Sequence, residues 1–161
     1  MKFIKTGISR SDAKNHYQVM VDDKDFDWLN QFNWHADKYG SVASWLGNKK
    51  NKRILMHRFI LKAPANMEVD HIDRNRLNNQ RSNLRLATSS QNKCNRGARK
   101  DNTSGYKGVS WHKQRNKWTA RIKAGDIYKS LGLFETKKDA AIAYNQAAII
   151  YQGEFAFLNT L

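Results

Sequence analysis

One cysteine, Cys94, and one proline, Pro64, occur in 161 residues. A lone thiol excludes an internal disulfide framework and any zinc site built from several cysteines. With so little proline, turns must be read from glycine, asparagine and aspartate. Acidic residues are also scarce, 14 Asp and Glu against 29 Lys and Arg, giving a formal net charge of +15. No apolar run approaches the roughly 20 residues that span a bilayer, and the opening MKFIKTGISRSD lacks the apolar middle of a secretory leader. The expectation is a soluble, cytoplasmic protein with no membrane partner. Hydrophobic residues are 40% and aromatics 11%, too many for a disordered basic tail. Charge of this sign and size suits a polyanion, most often nucleic acid.

The charge is unevenly spread. Residues 1–47 hold six Lys/Arg and six Asp; residues 48–100 carry a net +11 and residues 101–161 a net +4. The middle third is therefore the most basic, and its few acids, Glu68, Asp70 and Asp73, stand out. A segment that bound only phosphate would gain nothing from Asp70, whereas one that also held a cation would.

Periodicity divides the chain in two. YQVMV (17–21) reads as a strand, and Asp22-Asp23-Lys24-Asp25 supplies an N-cap and first-turn acids for a helix with Phe26, Leu29 and Phe32 on one face. Strand-like pieces follow at 33–36, 41–46 and 52–55, then a short helix near 56–62 that Pro64 closes. From Glu68 to Asn95 the pattern is strand, Asn/Arg-rich loop, short strand (83–86) and helix, with Thr88-Ser89-Ser90-Gln91 as a capping box. Gly97–Ser104 is small, polar and charged and reads as a linker. Beyond it, 106–111, 118–123 and 128–134 alternate as strands, and Thr136 with Asp139 caps a helix to about Tyr151 with an alanine-rich inner face. The expected class is α+β: mixed N-terminal strands and a ββα unit, then a three-stranded antiparallel sheet packed on one helix. The expected domains are 1–96, with its core at about 67–96, and 105–159, joined by 97–104.

The run VDHIDRNRLNNQRSNLRLATSSQNKCN resembles the HNH nucleases, in particular phage and intron homing endonucleases of the His-Asn-Asn subtype, whose core is a ββα-metal (His-Me finger) motif. Asp70-His71, Asn83 twelve residues later and Asn92 nine residues further carry the match, with VDDKDFDWL and MHRFIL upstream. The resemblance implies that His71 takes the proton of an attacking water, near neutral pH where imidazole titrates. It gives Asn83 the role of fixing the loop or the imidazole. It assigns Asp70 and Asn92 to one divalent cation, Mg2+ (or Mn2+), in an all-oxygen site unlike that of zinc. Asp70 and His71 are sequence neighbours, and both reach one site only if their strand ends there and the backbone turns. Arg74, Arg76 and Arg85 are candidates for DNA phosphate contacts.

Tyr106-Lys107-Gly108-Val109, Lys117-Trp118, Leu131-Gly132, Phe134, Ala140-Ala141 and Ala143-Tyr144 resemble the plant ethylene-response-factor, or AP-two, DNA-binding domain over about 104–159. Such domains lay a sheet in the major groove. The implied groove-facing residues are Lys107, Ser110, His112, Arg121, Lys123, Tyr128 and Ser130. Serine, histidine and tyrosine stand where the plant domains place arginine or tryptophan, so base readout differs.

Together the resemblances imply a homing-type nicking endonuclease acting on double-stranded DNA, as a monomer or weak dimer, placed by its C-terminal sheet. The alternatives are a DNA-binding regulator with an inactive nuclease module and an RNA-directed protein; no aromatic-rich strand of the usual single-strand RNA readers supports the latter.

Overall fold

Short alternating segments at the N-terminus pair as strands in the computed structural model, which describes residues 1–7, 16–46 and 52–161. β1 (Lys2–Lys5) and β2 (Gln18–Val21) are antiparallel with Ile4 opposite Val19. β1 has no counterpart in the sequence reading; it exists because β2 offers Val19 and Val21 as a buried partner face. α1 (Asp23–Leu29) follows, then β3 (His35–Ala36), β4 (Val42–Leu46) and β5 (Lys52–Leu55) in an antiparallel sheet of that order. α2 (Met56–Leu61) ends at Lys62, whose left-handed φ of 49° breaks the helix before Pro64 is reached. β6 (Glu68–His71) and β7 (Leu84–Ala87) form an antiparallel hairpin, with a 3-10 turn at Arg81–Asn83 between them. Val69 and Leu84 anchor this hairpin in a core of Ile4, Val19, Val21, Leu29, Trp34, Met56 and Ile60.

Asp22 departs from the expectation of a capping side chain. It precedes α1, but its carboxylate makes no cap bond. It accepts instead from the Arg81 backbone N–H (2.9 Å) and from Gln80 Nε2 (3.3 Å). Asp25, buried at the first turn, accepts from Arg81 Nε (2.7 Å) and Nη2 (2.9 Å) and from Trp28 Nε1 (3.1 Å). The 3-10 turn offers Asp25 a charged fork, a stronger partner than an exposed helix N–H, and offers Asp22 a backbone N–H and an amide. The acids of VDDKDFDWL thus tie α1 to the loop between β6 and β7.

By its contacts the chain divides into Met1–Thr88 and Ser89–Leu161. α3 (Ser89–Cys94) falls in the second unit, eight residues before the linker read from the sequence. The physical reason lies in its anchors. Cys94 and Asn95 are buried, Gly125 N–H donates to Ser90 Oγ (3.0 Å), and Lys107 Nζ donates to the Cys94 carbonyl. The end of the expected linker is folded too. Ser104 is buried and its Oγ donates to Val109 O (2.9 Å), while Asn102 Nδ2 donates to Tyr106 O (3.0 Å).

β8 (Val109–His112), β9 (Lys117–Ala124) and β10 (Ile127–Phe134) form the expected antiparallel meander, and α4 (Lys137–Gln152) crosses its back. Thr136 Oγ1 accepts from Asp139 N–H (3.1 Å), the cap read from the sequence. Ala120 and Ile122 of β9 pack on Ala140, Ala141, Tyr144, Ala147 and Ala148. The first strand starts three residues later than read, because Gly108 has φ +76° and a Cβ there would lie 2.1 Å from the Tyr144 ring. Only glycine permits that approach.

Candidate active site

Asp70 and His71 occupy the last two positions of β6, so the pleat sends their side chains to opposite faces. Asp70 lies across from Arg85 of β7. Its Oδ2 accepts from Arg85 Nε (2.9 Å) and Nη2 (2.8 Å), a buried charge-assisted pair. The strand ends at His71 and the backbone turns after it. Ile72 N–H donates to Asn83 O (2.9 Å), Arg74 N–H to His71 O (2.9 Å), and Arg74 takes a left-handed φ of 64°.

The His71 ring is held from two sides. Its Nε2 donates to Asn79 Oδ1 (3.4 Å), and Asn79, wholly buried, is itself fixed by Nδ2 donating to Arg76 O (2.9 Å). With Nε2 donating, Nδ1 is the nitrogen able to take a proton. The His57 ring of α2 packs edge-on at 5.1 Å. The next residue, Arg58, donates to the carbonyls of Met67, Ala63 and Pro64, locking the segment that leads into β6.

Asn83 closes the loop rather than touching the imidazole. Its Nδ2 donates to Asp73 Oδ1 (2.8 Å) and Asn78 O (2.8 Å), and its Oδ1 accepts from Asp73 N–H (2.9 Å). Asp73 also accepts from Asn75 N–H (2.7 Å) and Asn78 Nδ2 (2.8 Å). Partial burial opposes ionisation of Asp73, but these bonds from Asn78, Asn75 and Asn83 hold its carboxyl below the usual carboxylate range. Its oxygens serve the loop.

Burial pushes the His71 imidazole below its ordinary 6.5, against the Asn79 bond and the nearby Asp73 and Asp70 charges. Burial, with the neighbouring His71, Arg58 and Arg76, takes His57 down to about 3. Both rings are thus neutral, proton-accepting groups at pH 7. A folded-state pKa below the unfolded value favours folding above the unfolded pKa, and that gain is lost as pH falls through the folded pKa. The first unit should therefore lose stability progressively from about pH 6.5 downward. His57→Phe should flatten this slope in circular-dichroism melts; an unchanged slope would mean that His57 takes no proton on acid unfolding.

The other residues nominated from the sequence are placed as follows. Arg74 and Arg76 are exposed beside the loop, whereas the Arg85 guanidinium turns inward to Asp70. Asn92 sits on α3, in the second unit. On the sheet, Arg121 pairs across from Ser130 and Lys123 from Tyr128, all four exposed. Ser110 is exposed and His112 half-buried on β8. Lys107 is half-buried, its ammonium on the Cys94 carbonyl and 5.6 Å from the Phe157 ring. Asn79 and the Asp22/Asp25–Arg81 clamp were not singled out from sequence. In RLNNQ nothing distinguishes Asn79 from Asn78.

No three His, Cys, Asp or Glu side chains among the described residues cluster as a metal site. Within the first unit the Asp70 carboxylate is a hard oxygen donor of the kind that suits a dication keeping most of its shell for water and phosphate.

A family model described as HNH endonuclease matches residues 62–94. An uncharacterized HNH endonuclease of Acanthamoeba polyphaga mimivirus is 36% identical over 140 residues, 83% of this chain and 70% of the viral protein. Protein 3.8 of Escherichia phage T7 is 46% identical over 61 residues, half of its length. An ethylene-responsive transcription factor of Arabidopsis thaliana is 43% identical over 58 residues, 14% of its length. No solved structure matches the chain.

Proposed function

The chain belongs to the HNH endonuclease family and carries an AP-two-like domain, and from that premise we propose that it is a metal-dependent, homing-type enzyme that nicks double-stranded DNA where its C-terminal sheet places it. The observation that carries the reading is a buried, neutral imidazole at the end of β6, oriented by Asn79 beside a loop stapled by Asn83.

His71 Nδ1 accepts the proton of a water that attacks the scissile phosphorus, while Nε2–H stays on Asn79. Asn83 holds the 73–78 loop so that the imidazole meets the phosphate in one orientation. The resemblance makes Asp70 and Asn92 the residues that would hold one Mg2+ or Mn2+. That ion, when bound, stabilises charge on the phosphoryl oxygens and the departing 3′ oxygen. Arg74 and Arg76 contact flanking phosphates, and Ser110, His112, Arg121, Lys123, Tyr128 and Ser130 face the groove. Lys107 supports this surface by holding the end of α3. One catalytic module per chain cuts one strand, which suits a monomer or weak dimer.

One observation favours a second reading, a DNA-binding regulator without cleavage: Arg85 already neutralises Asp70. Incubating the protein with supercoiled plasmid, Mg2+ or Mn2+, and then chelator separates the two. Metal-dependent conversion to open circles, abolished by chelator, is expected. Binding without nicks across metals and target sequences would establish the regulator instead.

A further inference from the structure

Within the unit Ser89–Leu161 a cleft of about 470 Å³ lies between α3 and β9, in the size range of small-ligand sites. Its charged lining is Lys93 of α3, Lys107, the β9 residues Arg121 and Lys123, and one acid, Asp126. Lys93, Arg121 and Lys123 are exposed and Lys107 is half-buried, whereas Tyr144 and Gln152, which also line the cleft, are buried. Gly108 opens the space beside the Tyr144 ring. The bonds from Gly125 to Ser90 and from Lys107 to Cys94 fix α3 as one wall.

The buried groups are incompletely bonded. Among the described residues Gln152 Oε1 has no hydrogen-bond partner and Tyr144 Oη none of ordinary geometry, the Gln152 side chain lying beside it; Gln152 Nε2 donates to Lys123 O (2.9 Å) and is thereby oriented. Leaving a donor and an acceptor buried and unmet costs stability, and such groups call for an explanation in a ligand or water. Four cations in one cleft with a hydroxyl donor and an amide acceptor match the parts of a nucleotide: an anionic phosphate, then a sugar or base edge with both polarities.

We infer that this cleft takes one nucleotide of a bound DNA strand, its phosphate at Lys93 and Lys123 and its sugar or base edge on Tyr144 and Gln152. The inference rests on the reading that the chain binds DNA. It adds a contact on α3 and α4, off the sheet face, that the resemblance to plant domains does not assign. Lys93 then supplies affinity without sequence choice, and Tyr144 with Gln152 selects a nucleotide by its edge.

The test is fluorescence anisotropy of the full chain with a labelled duplex of mixed sequence, in chelator so that nothing is cut, across a range of salt. Tyr144→Phe should melt at the wild-type temperature or above, because it removes an unmet hydroxyl, yet bind about three- to tenfold more weakly. Lys93→Ala should lower affinity and reduce the slope of log affinity against log salt by about one. Wild-type affinity and slope in both variants would overturn the site. So would a Tyr144→Phe protein that is destabilised but binds normally, since the hydroxyl would then serve Gln152 within the fold. A wild type that binds no duplex would sink the DNA reading itself, a result distinguishable from either.

Discussion

His71→Ala should reduce metal-dependent nicking of supercoiled plasmid by about 10²–10⁴-fold, the usual contribution of a positioned general base, while DNA affinity stays near the wild-type value. The separation is expected because the ring is buried and faces Asn79 and His57, so it adds little to any phosphate-binding surface. Burial sets the sign of the pH effect. It pushes the imidazole below 6.5, so the acid limb of the rate profile should fall below the pH at which free histidine titrates. An acid limb at or above pH 6.5 would show that another group takes the proton. Equal loss of cleavage and binding in His71→Ala would show that the ring holds DNA rather than activating water. Asn79→Ala gives a finer check. It leaves Nδ1 in place but removes the acceptor for Nε2–H, so activity should fall less than in His71→Ala.

Much of this architecture is legible in the sequence because its determinants are local. The Thr136–Asp139 cap rests on residues three positions apart and occurs as read, and the turns at Asn116 and Gly125, both of positive φ, are as local. The turn after His71 follows from Asp73-Arg74-Asn75, where side-chain-to-backbone bonds replace regular pairing. What the sequence hides depends on distant partners. Asp22 looks like a helix cap until Arg81 is brought to it. Arg85 looks like a phosphate contact until the β6–β7 register sets it against Asp70. Lys107 looks like a groove residue until α3 brings it a helix-terminal carbonyl, where a cation is favoured. The placement of α3 with the second unit is hidden for the same reason, since Ser90 and Cys94 meet their partners only in the fold. Of the candidate site, the resemblance leaves Asn83 to fix the loop or the imidazole, and only the fold separates these two tasks. Asn79, rather than Asn83, holds the imidazole.

Asn83→Asp exchanges an amide for a carboxylate of nearly the same shape, yet it should be among the most damaging single changes in the first unit. Asn83 is 8% exposed and its Nδ2 donates to both Asp73 Oδ1 and Asn78 O at 2.8 Å. Replacing that nitrogen by oxygen turns both attractions into repulsions and sets a second carboxylate against Asp73. Only the bond from Asp73 N–H to Oδ1 survives. The loss should be about 3–5 kcal/mol, the range for an uncompensated buried charge, against about 1–3 kcal/mol for Asn83→Ala, which leaves polar groups unmet but adds no charge. The new carboxyl can lessen the conflict by keeping its proton and donating to Asp73, so its folded-state pKa lies above the unfolded value near 3.9. A raised pKa contributes stability that is present below the unfolded pKa and lost as pH rises through the folded one. The deficit of Asn83→Asp relative to wild type should therefore shrink on acidification, whereas that of Asn83→Ala should not show this recovery. Thermal melts of the three proteins between about pH 4 and 7.5 read this directly, and nicking at pH 7.5 should fall in both variants, furthest in Asn83→Asp. Parallel pH profiles for the two variants would mean that Asn83 fills space rather than joining the loop by hydrogen bonds, and the assignment of the loop as the positioning element for His71 would fail with it.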